Sequence, residues 1–269
     1  TPSNPTLQLQ DIHRLAKLVH EYDALLAVDN TFATPVNQCP IALGADFTVQ
    51  SATKYLGGHN DIISGAVLGA EPIVSAIKDY RGILGGIPDP HSVYLLVRGL
   101  KTFPLRMARQ NATADSLARF LESHPKVRRV YYPTLESHPH FEIARAQMRG
   151  CGGVVSFDLD ADLEQTMAFL DHLKIPCIGA SLGGVESIVS HPASISYYEL
   201  SREERLEIGI IDELVRYAVG VEEAKEAGRL KSREFSQFIQ YDTDMDNEII
   251  IKDIKLAIRE ELEKRSKEW

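Results

Sequence analysis

The run Phe47-Thr48-Val49-Gln50-Ser51-Ala52-Thr53-Lys54-Tyr55-Leu56-Gly57-Gly58-His59-Asn60-Asp61 decides the fold of this chain. Its first four residues read as a short strand, and a polar loop with paired glycines follows at the carboxyl end. Upstream, Leu25-Leu26-Ala27-Val28-Asp29-Asn30-Thr31 has the same form, with Asp29 closing a short apolar strand. Between residues 9 and 21, Ile12, Leu15, Ala16 and Val19 fall at helical spacing and predict an amphipathic helix. Residues 34–45 predict a helix that starts near Pro35 and ends at Gly44. Gly65-Ala66-Val67-Leu68-Gly69 predicts a third strand. Strand alternating with helix predicts an α/β fold on a mainly parallel, doubly wound sheet. In such sheets a ligand lies beyond the carboxyl ends of the strands, where both Asp29 and Lys54 fall.

Further along, residues 93–122 form a long apolar-periodic stretch, predicted as a connecting helix interrupted near Pro104. A smaller α+β domain is expected after it. Its strands are 127–131 and 153–157, and its helix is 163–173. The chain has 269 residues, enough for two ordinary domains. With 44% hydrophobic and 25% charged residues it reads as a soluble globular protein. A net charge of −9 argues against general nucleic-acid binding, which needs a basic face. No apolar stretch is long enough to span a bilayer and no signal peptide is visible, so a cytoplasmic protein without a membrane partner is expected. Cys39, Cys151 and Cys177 are odd in number and widely spaced. They are read as small buried apolar residues rather than a disulfide framework or zinc site.

The chemistry concentrates at the two strand ends. A lysine that forms a Schiff base with an aldehyde, paired with a carboxylate that keeps a ring nitrogen protonated, is what pyridoxal 5′-phosphate (PLP) requires of a protein. Lys54 and Asp29 supply that pair, and the Ser51 and Thr53 hydroxyls can donate to a phosphate. A lysine serves as a base near neutral pH only if burial and neighbouring positive charge lower its pKa. Arg216, between Leu214-Val215 and Tyr217-Ala218-Val219, reads as a strand residue that needs a buried anion. His59, Asn60 and Asp61 are read as loop residues rather than a metal cluster, and His138 and His140 as surface or loop residues.

These segments resemble the Cys/Met-metabolism family of PLP enzymes, which includes cystathionine γ-synthases, cystathionine γ-lyases, methionine γ-lyases and O-acylhomoserine sulfhydrylases. The similarity also rests on residues 2–6, on Leu95-Leu96-Val97-Arg98-Gly99-Leu100-Lys101-Thr102, and on Ser181-Leu182-Gly183-Gly184-Val185-Glu186-Ser187. His191-Pro192-Ala193-Ser194 and residues 214–222 complete it. The resemblance implies an aspartate-aminotransferase-like PLP domain over 1–115, a small C-terminal domain over 116–222 and a divergent tail over 223–269. It implies PLP bound by Asp29, Ser51, Thr53 and Lys54, with Lys54 catalytic. It also implies a small amino-acid substrate whose carboxylate is held by Arg216, helped by Ser181 and Asn4. Thr1 is expected to follow a longer family segment that carries a phosphate-binding helix N-terminus and a ring-stacking tyrosine. A homotetramer, a dimer of dimers with sites completed across the dimer interface, is implied as well.

For the reaction, many family members that handle cystathionine carry a glutamate where this chain has Ala180. Residues 126–133 and 194–201 look similar to plant-type cystathionine γ-synthases. γ-Replacement on an activated homoserine with cysteine is therefore the expectation. The alternatives are γ-elimination, or an inactive fragment acting as a binding or assembly module. Beyond residue 222 the tail departs from the family. Asp242, Asp244, Asp246 and Asp253 take positions 1, 3, 5 and 12 of an EF-hand-like loop, with Asn247 in place of the usual glycine. Two readings stand there: an acidic solvated loop before an amphipathic helix, or a weak Ca2+ site open to Mg2+ competition.

Overall fold

A computed structural model describes residues 1–222 of the chain. Helix α1 (Ile12–His20) is capped by the Asp11 side chain, which accepts from the Arg14 amide. Strand β1 (Ala27–Asp29) follows, then a short helix α2 (Thr34–Asn37) and a 3-10 turn (Pro40–Leu43) closed by left-handed Gly44. The single helix expected over 34–45 is thus two pieces. Pro40 has no amide to donate and sterically opposes continuation, and Gln38 is extended.

Strand β2 (Phe47–Ser51) runs into a single π-helical turn over Ala52–Leu56. Strand β3 (Gly65–Gly69) returns beside it. Strands β1 and β2 are parallel, Asp29 opposite Val49, but β3 is antiparallel to β2. The expected mainly parallel sheet is therefore mixed here. The link from Ser51 to Gly65 carries no crossover helix, and a parallel return needs one.

Helices α3 (Glu71–Leu84) and α4 (Pro90–Leu100) follow, and α4 starts on an Asp89 cap with Pro90 in its first turn. Helix α5 (Phe103–Glu122) begins after a break at Lys101-Thr102, so the interruption expected near Pro104 falls just before it.

Strand β4 (Val127–Tyr131), helix α6 (Phe141–Gln147), strand β5 (Val154–Leu159) and helix α7 (Leu163–His172) come next. Two-residue strand β6 (Cys177–Ile178), strand β7 (Ile188–Ser190), helices α8 (Pro192–Ile195) and α9 (Arg202–Glu207) and strand β8 (Leu214–Ala218) complete the described chain. The second sheet has the order β4-β5-β8-β7-β6, antiparallel except at β7–β6. Its inner strands β5 and β8 are buried at every position, which fits their nearly continuous apolar runs.

Helix α5 joins the two sheets. Ala114, Leu117, Ala118 and Leu121 recur at helical spacing and pack with Val155, Phe157 and Val215 of the second sheet. Phe103 and Met107, two to three turns earlier, pack with Ala52, Tyr55 and Leu56 of the turn after β2 and with Leu182 and Leu214. This shared cluster holds the carboxyl end of β2 against the loop 181–187.

Some loop expectations change. His138 is buried, at 3% exposure, because residues 135–141 fold back in successive turns that hide the ring. Of the three cysteines, all free, only Cys151 is buried. Cys39 and Cys177 lie exposed beside a turn and on an edge strand. Asp242, Asp244, Asp246 and Asp253 lie outside the described residues.

Candidate active site

Asp29 ends β1 and Lys54 lies three residues beyond the end of the neighbouring parallel strand β2. The two ends are tied together, since the Asn30 amide donates to the Val49 carbonyl and the Ser51 amide to Thr31 Oγ1. Asp29 is exposed and its Oδ1 accepts from the Thr31 amide at 2.9 Å. Lys54 is half-buried, with φ −90° and ψ −125°, outside helical geometry in the middle of the π turn. That local departure turns its side chain away from the helix path toward the loop 181–187, where Nζ donates to Ser181 Oγ at 3.0 Å.

Arg216 arrives from β8, 2% exposed. Its Nη2 donates to the carbonyls of Ala180 (2.8 Å) and Ser181 (3.0 Å), and Nη1 to Asn4 Oδ1 (3.1 Å). Its Nε is buried with no hydrogen-bond partner. Lys54, Ser181, Arg216 and Asn4, read separately from the sequence, thus form one connected group with Ser181 at its centre. The buried guanidinium bonds only to neutral acceptors there, so the anion that its burial calls for is not part of the chain's described residues. Burial first, and then the Arg216 charge, hold the Lys54 ammonium below its ordinary pKa.

Glycines set the close approach of these segments. Gly183 has φ +79°, and a Cβ there would lie 2.6 Å from the Tyr55 amide nitrogen and 3.0 Å from the Lys54 carbonyl carbon. Side-chain bulk at 183 would push Ser181 off Lys54. The loop is held from below by Gln110, which donates to the Gly184 carbonyl at 2.8 Å, and from the side by Asn60, which donates to Glu186 at 2.8 Å. Buried Tyr55 accepts from the Gly153 amide, and burial raises its phenol well above the ordinary range.

The residues present fit PLP, the group that the sequence implies. A half-buried amine with lowered basicity, a strand-end carboxylate and an orphaned buried guanidinium N–H fit an aldehyde, a ring N–H and a carboxylate respectively. Of the two hydroxyls expected at the phosphate, Thr53 is engaged: Oγ1 donates to the Ser64 carbonyl and accepts from the Ser64 amide. Ser51 is half-buried at the end of β2. His59 bonds through Nδ1 to the Gly57 carbonyl. Among the described residues no three His, Cys, Asp or Glu side chains are placed to hold a metal, and no helix is long and apolar enough to cross a membrane.

Sequence reasoning passed over Arg106 and Gln110, and gave Tyr55, within the quoted run, no role. For the first two the one available signal was weak: polar residues at helical spacing with Phe103 and Met107, within a stretch otherwise read as a connector.

Residues 1–228 match the family described as Cys/Met metabolism PLP-dependent enzyme. The chain is 52% identical over 223 residues to a protein named cystathionine gamma-synthase 1, chloroplastic, from Arabidopsis thaliana, covering 83% of this chain and 40% of that protein. It is 44% identical over 227 residues to a cystathionine gamma-lyase of Bacillus subtilis, covering 84% and 60%. In structure it is similar to a cystathionine gamma synthase from Xanthomonas oryzae pv. oryzae solved with aminoacrylate and cysteine. That match has a TM-score of 0.84 at 32% identity and covers 96% of this chain and 61% of that one. The chain spans about 40–60% of the length of these relatives. By this match over residues 1–228, the chain belongs to the Cys/Met-metabolism family of PLP-dependent enzymes.

Proposed function

We propose that the protein containing this chain catalyses γ-replacement on an activated homoserine, with cysteine as the incoming thiol, to form cystathionine or a related thioether. The observation that carries the reading is the convergence of Lys54 Nζ and Arg216 on Ser181. It puts an amine of lowered basicity beside a buried guanidinium that has an N–H to spare. PLP, when bound, would act as the electron sink for the carbanion chemistry at the substrate's α-carbon. Lys54 would hold the aldehyde and, once released, take the α-proton and return protons at neighbouring carbons. Its lowered pKa leaves more of the amine unprotonated near neutral pH. Asp29 would keep the ring nitrogen protonated through a charge-assisted bond. Arg216, through Nε, would grip the substrate carboxylate, with Asn4 and Ser181 fixing the guanidinium plane. Ser51 would face the phosphate, and Thr53 would do so only by exchanging its bond to Ser64.

Choice of γ-replacement over γ-elimination is supported by the 52% identity to the plant cystathionine γ-synthase, against 42% and 44% for a methionine γ-lyase and a cystathionine γ-lyase. Ala180, with no carboxylate for a distal amino group, supports it as well. A homotetramer is the expected assembly, supported by exposed Tyr80, Ile83, Leu84 and Tyr94 on α3 and α4; light scattering at micromolar concentration tests it. Weak Ca2+ binding at 242–253 is supported by the carboxylate spacing alone and is tested by calcium titration with and without Asp242→Ala.

The deciding experiment adds PLP to the protein and scans the visible spectrum, then supplies O-activated homoserine with or without cysteine. A PLP-dependent band that is lost in Lys54→Ala, and thioether formed only with cysteine, are expected. A band unchanged in Lys54→Ala defeats the assignment of Lys54. Keto acid released equally without cysteine defeats γ-replacement. Absence of turnover with a normal band leaves the chain as a binding or assembly module.

A further inference from the structure

The turn that carries Lys54 ends against a buried cation. Arg106, on α5 and 5% exposed, donates through Nη1 to the Tyr55 carbonyl at 2.8 Å and through Nη2 to the Gly99 carbonyl at 3.0 Å. A longer contact of Nη2, 3.5 Å, reaches the Leu56 carbonyl, and Nε donates to Thr102 Oγ1 at 3.1 Å. These carbonyls are the last ones of two helical segments, the π turn Ala52–Leu56 and α4. Helix-end carbonyls carry the negative end of the helix dipole; that of Gly99 also accepts from the Lys101 and Thr102 amides and the Thr102 hydroxyl. Among the described residues Arg106 makes no ion pair, and its guanidinium lies 5.9 Å from the Phe103 ring centre. A buried guanidinium that spends its donors on helix-end carbonyls of the lysine loop is placed to define that loop's path.

The surrounding backbone is cut to admit it. Gly58 has φ +73°, and a Cβ there would sit 1.9 Å from Arg106 Nη1. Gly99 lets α4 meet the loop backbone to backbone, since its Cβ would lie 2.2 Å from the Gly57 carbonyl oxygen. Lys54 immediately precedes Tyr55, whose carbonyl Arg106 holds, and its torsions lie outside the helical range.

We propose that Arg106 is a positioning residue for the lysine loop: by gripping the carbonyls of Tyr55 and Leu56 it fixes the backbone that keeps Lys54 Nζ on Ser181. The inference deepens the proposed function, because it assumes that Lys54 is the residue whose placement matters. Arg106 touches no substrate and acts only through Lys54. The planar fork is what the role requires, since it serves three carbonyls from one plane, and a lysine ammonium would not.

The test reads the amine of Lys54 in the ligand-free 269-residue chain. Limited acetylation with acetic anhydride is followed across pH, with the Lys54 peptide quantified by mass spectrometry and folding checked by circular dichroism. In the parent, Lys54 should label with a midpoint below that of surface lysines, because it is buried and faces Arg216 from β8. In Arg106→Met the loop should relax and the midpoint should rise by about one pH unit toward the ordinary lysine value. Arg106→Lys should fall between the two. Thr102→Val removes the partner of Nε together with the Thr102 bond to the Gly99 carbonyl, and it should shift the midpoint the same way by less. A folded Arg106→Met chain with the parent's labelling profile, whatever its stability, overturns the proposal. If Arg106→Met does not fold, an unchanged profile in Thr102→Val overturns it. Lys54 labelling that follows Arg106, while the whole protein containing this chain shows no PLP-dependent band, keeps this inference and defeats the proposed function instead.

Discussion

The same substitution, glycine to alanine within a helix, should have opposite signs at Gly99 and Gly82. Both lie in helices, Gly82 in α3 and Gly99 in α4. At Gly82 a Cβ meets nothing within 4 Å, so alanine gains only the helix preference, about 0.5–1 kcal/mol. At Gly99 the Cβ would lie 2.2 Å from the Gly57 carbonyl oxygen, 3.1 Å from its carbon and 3.2 Å from the Leu56 oxygen. An ordinary carbon–oxygen contact is about 3.3–3.6 Å, so α4 and the lysine loop must part by roughly 1 Å. Both sides are backbone, and neither side can swing away as a side chain would. Overpacking of this kind costs about 1–3 kcal/mol, and the rigid partners argue for the upper end. Subtracting the helix gain leaves a net loss of about 2 kcal/mol, roughly a 30-fold fall in the folding equilibrium constant. Urea unfolding followed by far-UV circular dichroism is the assay. With a slope of about 3 kcal/mol per molar urea, Gly99→Ala should lower the midpoint by about 0.7 M and Gly82→Ala should raise it by about 0.2–0.3 M. The PLP-dependent band should weaken in the first variant only. A Gly99→Ala chain that unfolds at or above the parent's midpoint would refute the close packing of α4 on the lysine loop.

Other outcomes follow from single groups. His138 is held to a pKa of about 4, chiefly by burial and then by the His140 and Arg129 charges. A folded pKa below the unfolded 6.5 gives stability that is full above pH 6.5 and lost as pH falls toward 4. Within that window stability should drop by up to about 1.4 kcal/mol per pH unit more in the parent than in His138→Gln, measured by urea unfolding at several pH values. Ser201 and Glu204 form a reciprocal cap at the start of α9, so Ser201→Ala should cost about 1 kcal/mol and fray that helix in amide exchange. Gly183→Ala combines a left-handed torsion with a 2.6 Å approach to the Tyr55 amide. It should cost at least about 1–2 kcal/mol and also free Lys54 for acetylation. If the proposed function holds, Arg216→Lys should raise KM for the amino-acid substrate by tenfold or more with a smaller fall in kcat, because one ammonium replaces a planar fork.

Lys54, Asp29 and Arg216 were legible without a structure because each sits where a strand pattern places it. Period-two and short apolar runs locate strand ends, and strand ends locate the rim of an α/β sheet. Helices α1 and α7 were legible as local patterns, and their caps, Asp11 and Asp162, likewise satisfy amides only a few residues away. What local pattern could not give was anything fixed by contacts across long separations. The antiparallel course of β3 depends on how the loop 52–64 returns, and the burial of His138 on how 135–141 folds under itself. The meeting of Lys54 with Ser181 joins residues 127 apart, and that of Arg106 with Tyr55 joins residues 51 apart. Sequence alone pointed to the groups proposed for chemistry and to the strand ends that carry Asp29 and Lys54, because those follow from neighbours along the chain. Only the tertiary structure decided that Ser181 joins the amine to the guanidinium and that Arg106 holds the lysine loop. Those facts rest on packing α5 between two sheets and on glycines that let backbones touch, and no periodicity encodes either.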